Sequence, residues 1–148
     1  MTTGCAQGKT KAPKQKAYFK LVEAYTQTTV PGIPGASHKT NYYFVIVWEG
    51  TKSPESFFWR GENGWLNCNM AKAHKISGGR DYTTQVVLPN DIHRKDTLEL
   101  TTFTGGKFPI PAEVTGDVKN TLFFKTGGSA WLSFPVNKID KHDDVIMR

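Results

Sequence analysis

From Tyr18 onward the chain sets short apolar runs between clusters of Gly, Pro and Asn, a pattern that predicts strands and turns rather than helices. Tyr42-Tyr43-Phe44-Val45-Ile46-Val47-Trp48 is aromatic or β-branched on both of its faces. It predicts a central strand covered on each side, ended by Glu49-Gly50. Ser56–Arg60 and Trp65–Met70 flank Gly61-Glu62-Asn63-Gly64, where Asn-Gly suits a tight turn, and they predict a hairpin. Strand alternation in its second arm puts Leu66, Cys68 and Met70 on one face and Trp65, Asn67 and Asn69 on the other. Cys68 is therefore expected to face the core and Trp65 to face away from it.

Further strands are predicted over Tyr82–Leu88, Thr97–Phe103 and Thr121–Lys125. The last two lead through Gly105-Gly106 and Gly127-Gly128 into Phe108–Ile110 and Trp131–Phe134, as hairpins do, and Trp131 again has the parity opposite to the core series of its strand. The recurring Thr-Leu, Thr-Gly-Gly and Phe-Pro elements reflect similar turn chemistry rather than a repeat array. Tyr18, Leu21, Val22 and Tyr25 would suit a short amphipathic helix by spacing, but Thr26-Gln27-Thr28-Thr29-Val30 continues in β-branched residues and favours a strand, with Pro31–Gly35 a loop. Roughly eight or nine short strands predict an all-β fold: a single antiparallel β-sandwich of immunoglobulin-like type, with a small β-barrel as the alternative.

A chain of 148 residues, 38% hydrophobic, can bury the core of one domain without disulfide staples. Its net charge of +6 raises nucleic acid as a partner, but Lys9, Lys11, Lys14 and Lys16 lie in the first sixteen residues with no acid among them. The rest of the chain carries fifteen basic against thirteen acidic residues and only four dispersed arginines. That distribution argues against a nucleic-acid-binding face. The longest apolar run, Tyr42–Trp48, has seven residues, far short of the ~20 that a membrane-spanning helix needs.

Thr2-Thr3-Gly4-Cys5-Ala6-Gln7 is followed by a Lys-rich, apolar-poor stretch as far as Lys16. The junction resembles the lipobox of bacterial lipoproteins, in which a small residue precedes a Cys that becomes the lipidated first residue. The resemblance covers about six residues; Thr2 stands where Leu is typical, and no apolar signal region lies before Cys5. It implies lipidation at Cys5, a membrane partner through that lipid, and a cell-envelope address at the outer membrane or periplasmic face. The composition of residues 1–16 suits a flexible basic tether, leaving 17–148 as the folded domain. Gly8-Lys9-Thr10 is not a phosphate loop, because Thr3 occupies the place of the first glycine.

No set of residues predicts catalysis. His38, His74, His93 and His142 stand in separate segments without ligand spacing, and no Gly-x-Ser-x-Gly turn occurs. Asp140-Lys141-His142-Asp143-Asp144 carries metal-donor types, but Lys141 interrupts them and the spacing matches no ion loop. Two cysteines provide no zinc site, and an inward Cys68 argues against a bond to Cys5. Neither metal nor cofactor is expected. What remains is aromatic content, with Trp65 and Trp131 as candidate contacts for a protein or a glycan. The expectation is a non-enzymatic envelope lipoprotein that binds or assembles through an edge strand or an aromatic face. The alternatives are a small β-barrel hydrolase or isomerase and an unanchored cytoplasmic β-domain.

Overall fold

Long β-branched and aromatic segments have no way to satisfy their backbone except by pairing with one another, and here they pair into one sheet. The computed structural model describes residues 18–62, 64–77, 80–85, 87, 91–103, 110, 118–128 and 130–147. Its strands are β1 Phe19–Val30, β2 Lys39–Trp48, β3 Pro54–Arg60, β4 Trp65–Ser77, β5 Arg80–Thr84, β6 Thr97–Phe103, β7 Thr121–Thr126, β8 Leu132–Pro135, β9 Asp140–Lys141 and β10 Val145–Ile146. Across the sheet the order is β9-β1-β2-β6-β4-β3-β7-β8, with β5 added to β4 and β10 to β1. The fold is all-β. The expected two-sheet immunoglobulin-like sandwich is not confirmed: the strands form a single curled sheet, a half-barrel, and it is mixed rather than purely antiparallel because β9 and β10 run parallel to β1.

Curling brings the far strands together over one core. Phe19 of β1 packs at a tilt against Phe134 of β8 at 4.5 Å and meets Phe124 of β7 edge-on at 5.3 Å. Phe44, Ile46 and Trp48 of β2, Phe57 and Trp59 of β3, Leu98 and Leu100 of β6, and Leu122 and Phe124 of β7 complete the buried interior. The inward residues of β1–β4 and β6–β8 thus share one interior. The seam where β1 and β8 approach without pairing leaves a groove of about 390 Å³, lined by Leu21, Val22, Ala24, Phe134 and Pro135 among others.

Two bulges set which side chains point inward. In β1, Leu21 pairs with Ile46 and Glu23 with Val45, so Val22 is the extra residue, 62% exposed. The inward series therefore changes from Phe19 and Leu21 to Ala24. The helix-like spacing of Tyr18, Leu21, Val22 and Tyr25 is this parity change seen in sequence. In β4, Met70 pairs with Leu100 and Lys72 with Glu99, leaving Ala71 over. Beyond it Ala73 and Lys75 are the buried residues.

The hairpins over Ser56–Met70 and Thr121–Phe134 form as predicted. The second arm of the first is longer than expected, reaching Ser77, because beyond the bulge it continues to pair with β6 and with β5. The strand predicted over Tyr82–Leu88 is instead Arg80–Thr84, paired with β4. Thr97–Phe103 is a strand between β2 and β4, and its expected partner Phe108–Ile110 lies outside the described residues except for Ile110. Cys5 and the tether of residues 1–16 also lie outside them.

Candidate functional site

Trp65 opens β4 and Trp131 immediately precedes β8, and both rings lie on the outer face of the sheet. Phe58 of β3 and Phe123 of β7 are direct cross-strand partners on the outer face of the sheet. Both are buried, although the face opposite the core would ordinarily be wet. The Trp65 ring lies 5.3 Å from Phe123 and the Trp131 ring 5.7 Å from Phe58, edge to face. Lys125 sets its ammonium 5.1 Å above Trp131, within cation–π range. The two tryptophans, themselves partly buried, belong to one patch across β4, β3, β7 and β8. Cys68 packs against the core on the opposite face, beside Phe57. Its burial pushes the thiol well above the ordinary range.

Sequence reasoning missed the recess at one end of the half-barrel. Tyr42 of β2, Trp59 of β3, Trp65 and Leu66 of β4, and the connecting Gly61, Glu62 and Gly64 enclose about 270 Å³. Trp59 is fully buried, and among the described residues its indole Nε1 is the one buried side-chain polar atom without a hydrogen-bond partner. Gly61, two residues on, lies against that nitrogen: a β-carbon there would come within 2.9 Å of it. Glu62 at the rim accepts a hydrogen bond from Asn120 Nδ2 at 2.8 Å through Oε2, and Arg60 Nη1 donates to the Gly61 carbonyl at 2.5 Å. The signal present in the sequence was the triplet Trp59-Arg60-Gly61, which echoes Trp48-Glu49-Gly50.

A second titratable cluster sits on the outer face of β1. The His142 ring stacks on Tyr25 at 3.7 Å, Tyr25 stacks on Tyr43 at 4.8 Å, and His142 Nε2 lies 3.0 Å from Glu23 Oε2. Partial burial raises the Tyr25 phenol, and the nearby Glu99 and Glu23 carboxylates and Tyr43 add to the effect. The segment that carries His142 is largely exposed in its side chains but docked on β1 through its backbone. The His142 amide donates to the Thr26 carbonyl, and Gln27 Nε2 donates to the Asp143 carbonyl. No group of three His, Cys, Asp or Glu side chains able to hold a metal ion occurs among the described residues. His74 pairs loosely with Asp81 at 3.8 Å, and His93 lies 4.0 Å from Asp96.

No family model matches the chain, and no curated protein or solved structure matches it. No helix among the described residues is long and apolar enough to cross a membrane.

Proposed function

We propose that this protein is a non-enzymatic binding or assembly module of the cell envelope, held at a membrane by a lipid on Cys5 and engaging an envelope protein or a glycan through the patch around Trp65 and Trp131. The observation that carries the binding role is the way these rings are held. Each is partly buried against a fully packed Phe of the outer face. A ring already fixed in place loses little rotamer freedom when a partner covers it. Lys125 over Trp131 adds a polar edge of the kind that orients a partner. The role needs no immunoglobulin-like sandwich, since a curled sheet presents the same outer face. The lipobox resemblance supports the address.

Two measurements test the reading. Intact mass of the protein extracted from its host should show an acylated chain beginning at Cys5; an unacylated chain retaining Met1 would remove the anchor. Capture from envelope extract and binding to arrayed glycans should each be compared for wild type, Trp65→Ala and Trp131→Ala. Loss of a central aromatic anchor commonly costs about 2 kcal/mol or more, roughly thirtyfold in affinity. Folded variants that bind every partner as wild type does would remove the aromatic patch from the function.

A further inference from the structure

We propose that β10 is a docking strand for a second copy of this chain: its open edge pairs antiparallel with β10 of that copy, about a two-fold axis between the two Ile146 residues. The inference goes beyond the outer-face reading and depends neither on it nor on the lipid anchor.

Three observations carry it. The first is exposure. Val145, Ile146 and Met147 are 40%, 59% and 54% exposed, and consecutive residues of a strand point to opposite faces. No single folded face accounts for three apolar side chains in a row that are all exposed. Ile33, 73% exposed, follows Val30 of β1 by three residues and adds apolar surface at the same end. The second is the backbone. Among the described strands β10 pairs with β1 alone, in parallel. Val145 and Ile146 are in register with Thr29 and Val30, and the Met147 amide donates to the Val30 carbonyl. Ladder alternation then turns the N–H and C=O of Ile146 to the other edge. An open edge carrying apolar side chains is a template for another strand, and its bare N–H and C=O suit it to a strand rather than to lipid hydrocarbon. The third is charge. The sequence here reads Asp144-Val145-Ile146-Met147-Arg148. Antiparallel pairing centred on Ile146 sets that residue against its counterpart, Val145 against Met147, and Asp144 against Arg148 on both sides of the axis. In-register parallel pairing would set like charge on like. The two Ile146 residues exchange both backbone hydrogen bonds, as the hydrogen-bonded pair of an antiparallel ladder does, and the contact closes on itself with two-fold symmetry. So short a strand makes a weak dimer, with a Kd of about 0.1 mM, which forms where copies are concentrated.

The test is sedimentation equilibrium of the full chain, produced without lipid, from about 10 µM to about 1 mM, a range that brackets that Kd. Backbone amide signals of the 15N-labelled chain are followed over the same range. The expected result is a monomer–dimer equilibrium in which the Ile146 amide shifts with concentration while those of the buried Phe44 and Leu98 stay in place. Asp144→Arg sets arginine across from arginine, and Arg148→Asp sets acid across from acid. Each should weaken the dimer about tenfold, because two cross-strand pairs turn from attraction to repulsion. An equimolar mixture of the two variants should associate at least as well as wild type, since each then meets the opposite charge. Ile146→Pro removes the open-edge donor and should abolish the dimer; if that variant fails to fold, the charge exchange still decides. A monomer across the whole range overturns the proposal. So do single-charge variants that associate as wild type does, or a mixture that gains nothing over them. A monomer that instead binds phosphatidylglycerol vesicles, and loses them in Ile146→Asn, would assign the patch to lipid and also overturn the pairing. Acylation of Cys5 and capture through Trp65 and Trp131 are read in separate measurements, so the failure of either reading leaves the other standing.

Discussion

The two ends of the core are built from the same triplet and finished differently. Trp48-Glu49-Gly50 closes one end and Trp59-Arg60-Gly61 stands at the other. Both indoles are fully buried, and each is overlain by the glycine two residues on, where an added β-carbon would come within about 3 Å of the ring. At the first end every polar group of the tryptophan is used. Trp48 Nε1 donates to the Lys52 carbonyl, its amide donates to the Asp96 carbonyl at 2.8 Å, and its carbonyl accepts from the Lys95 amide at 2.6 Å. Lys95 adopts a positive φ of 79° to do so, a conformation tolerated because its neighbours fix it. Burial of Glu49 works to raise its carboxyl, but Lys95, Lys20 and Arg94 outweigh it and hold the group below its ordinary value. At the second end the indole N–H is equally buried but has no partner. Saturated polar groups mark the end that is tied down on every side, and an unsatisfied one marks the end held by packing alone.

The comparison is broken most severely at Lys75. The bulge at Ala71 turns this lysine inward, where its ammonium meets Asp96 Oδ2 at 2.7 Å and also donates to the Asp91 carbonyl; both charged side chains are over nine-tenths buried. Asp96 Oδ2 in turn accepts from the His93 amide at 2.9 Å, so the pair fixes the loop that caps Trp48. Removing one member leaves the other charged and buried. Lys75→Met should cost about 3–5 kcal/mol, measured by urea unfolding, with the Trp48 indole signal moving and the Trp59 signal remaining. A cost below about 1 kcal/mol, within the range of an exposed pair, would show that the first end is not locked by this pair.

Much of the architecture was legible because it is local. Apolar and aromatic runs located β2, β6 and two of the three predicted hairpins, and simple alternation put Leu66, Cys68 and Met70 inward and Trp65 outward. The parts that were not legible depend on groups distant in sequence. A one-residue bulge at Val22 made β1 imitate a helix, and a second at Ala71 hid the inward path of Lys75. The parallel docking of β9 and β10 on β1 joins segments more than a hundred residues apart, and alternation says nothing of such pairing. The Trp-x-Gly triplet was visible twice, yet whether its indole finds an acceptor depends on a carbonyl outside the triplet, which Lys52 supplies at one end and no described residue supplies at the other.

Between the two ends, Cys68 tests whether the wall they share is packed as one. It pairs with Phe57 on β3 and lies opposite Thr102 on β6. Cys68→Ser should destabilise by about 1–3 kcal/mol, because a hydroxyl there is buried without a partner. The thiol should resist a cysteine reagent until denaturant is added. Its folded pKa is raised, so its contribution is fully present below the unfolded thiol value, about 8.5, and is lost as the pH rises past it, where only the unfolded chain ionises. Cys68→Ala should remove that alkaline decline. Rapid labelling of the native protein would contradict the inward placement.

The finest discrimination comes from making the same change at both ends. Trp48→Phe and Trp59→Phe remove the same atoms from two fully buried sites, so the packing losses are similar and the difference isolates the N–H. Trp48→Phe also strands the Lys52 carbonyl, which loses its donor at 2.9 Å. Trp59→Phe removes a donor that had no acceptor, and with it the cost of burying that donor. Trp59→Phe should therefore be the less destabilising of the two by about 1 kcal/mol, read from paired urea-unfolding curves with equal slopes so that only the midpoints differ. Equal costs, or a larger cost at Trp59, would mean that its indole is satisfied in solution and that the two ends do not differ in the way the geometry implies.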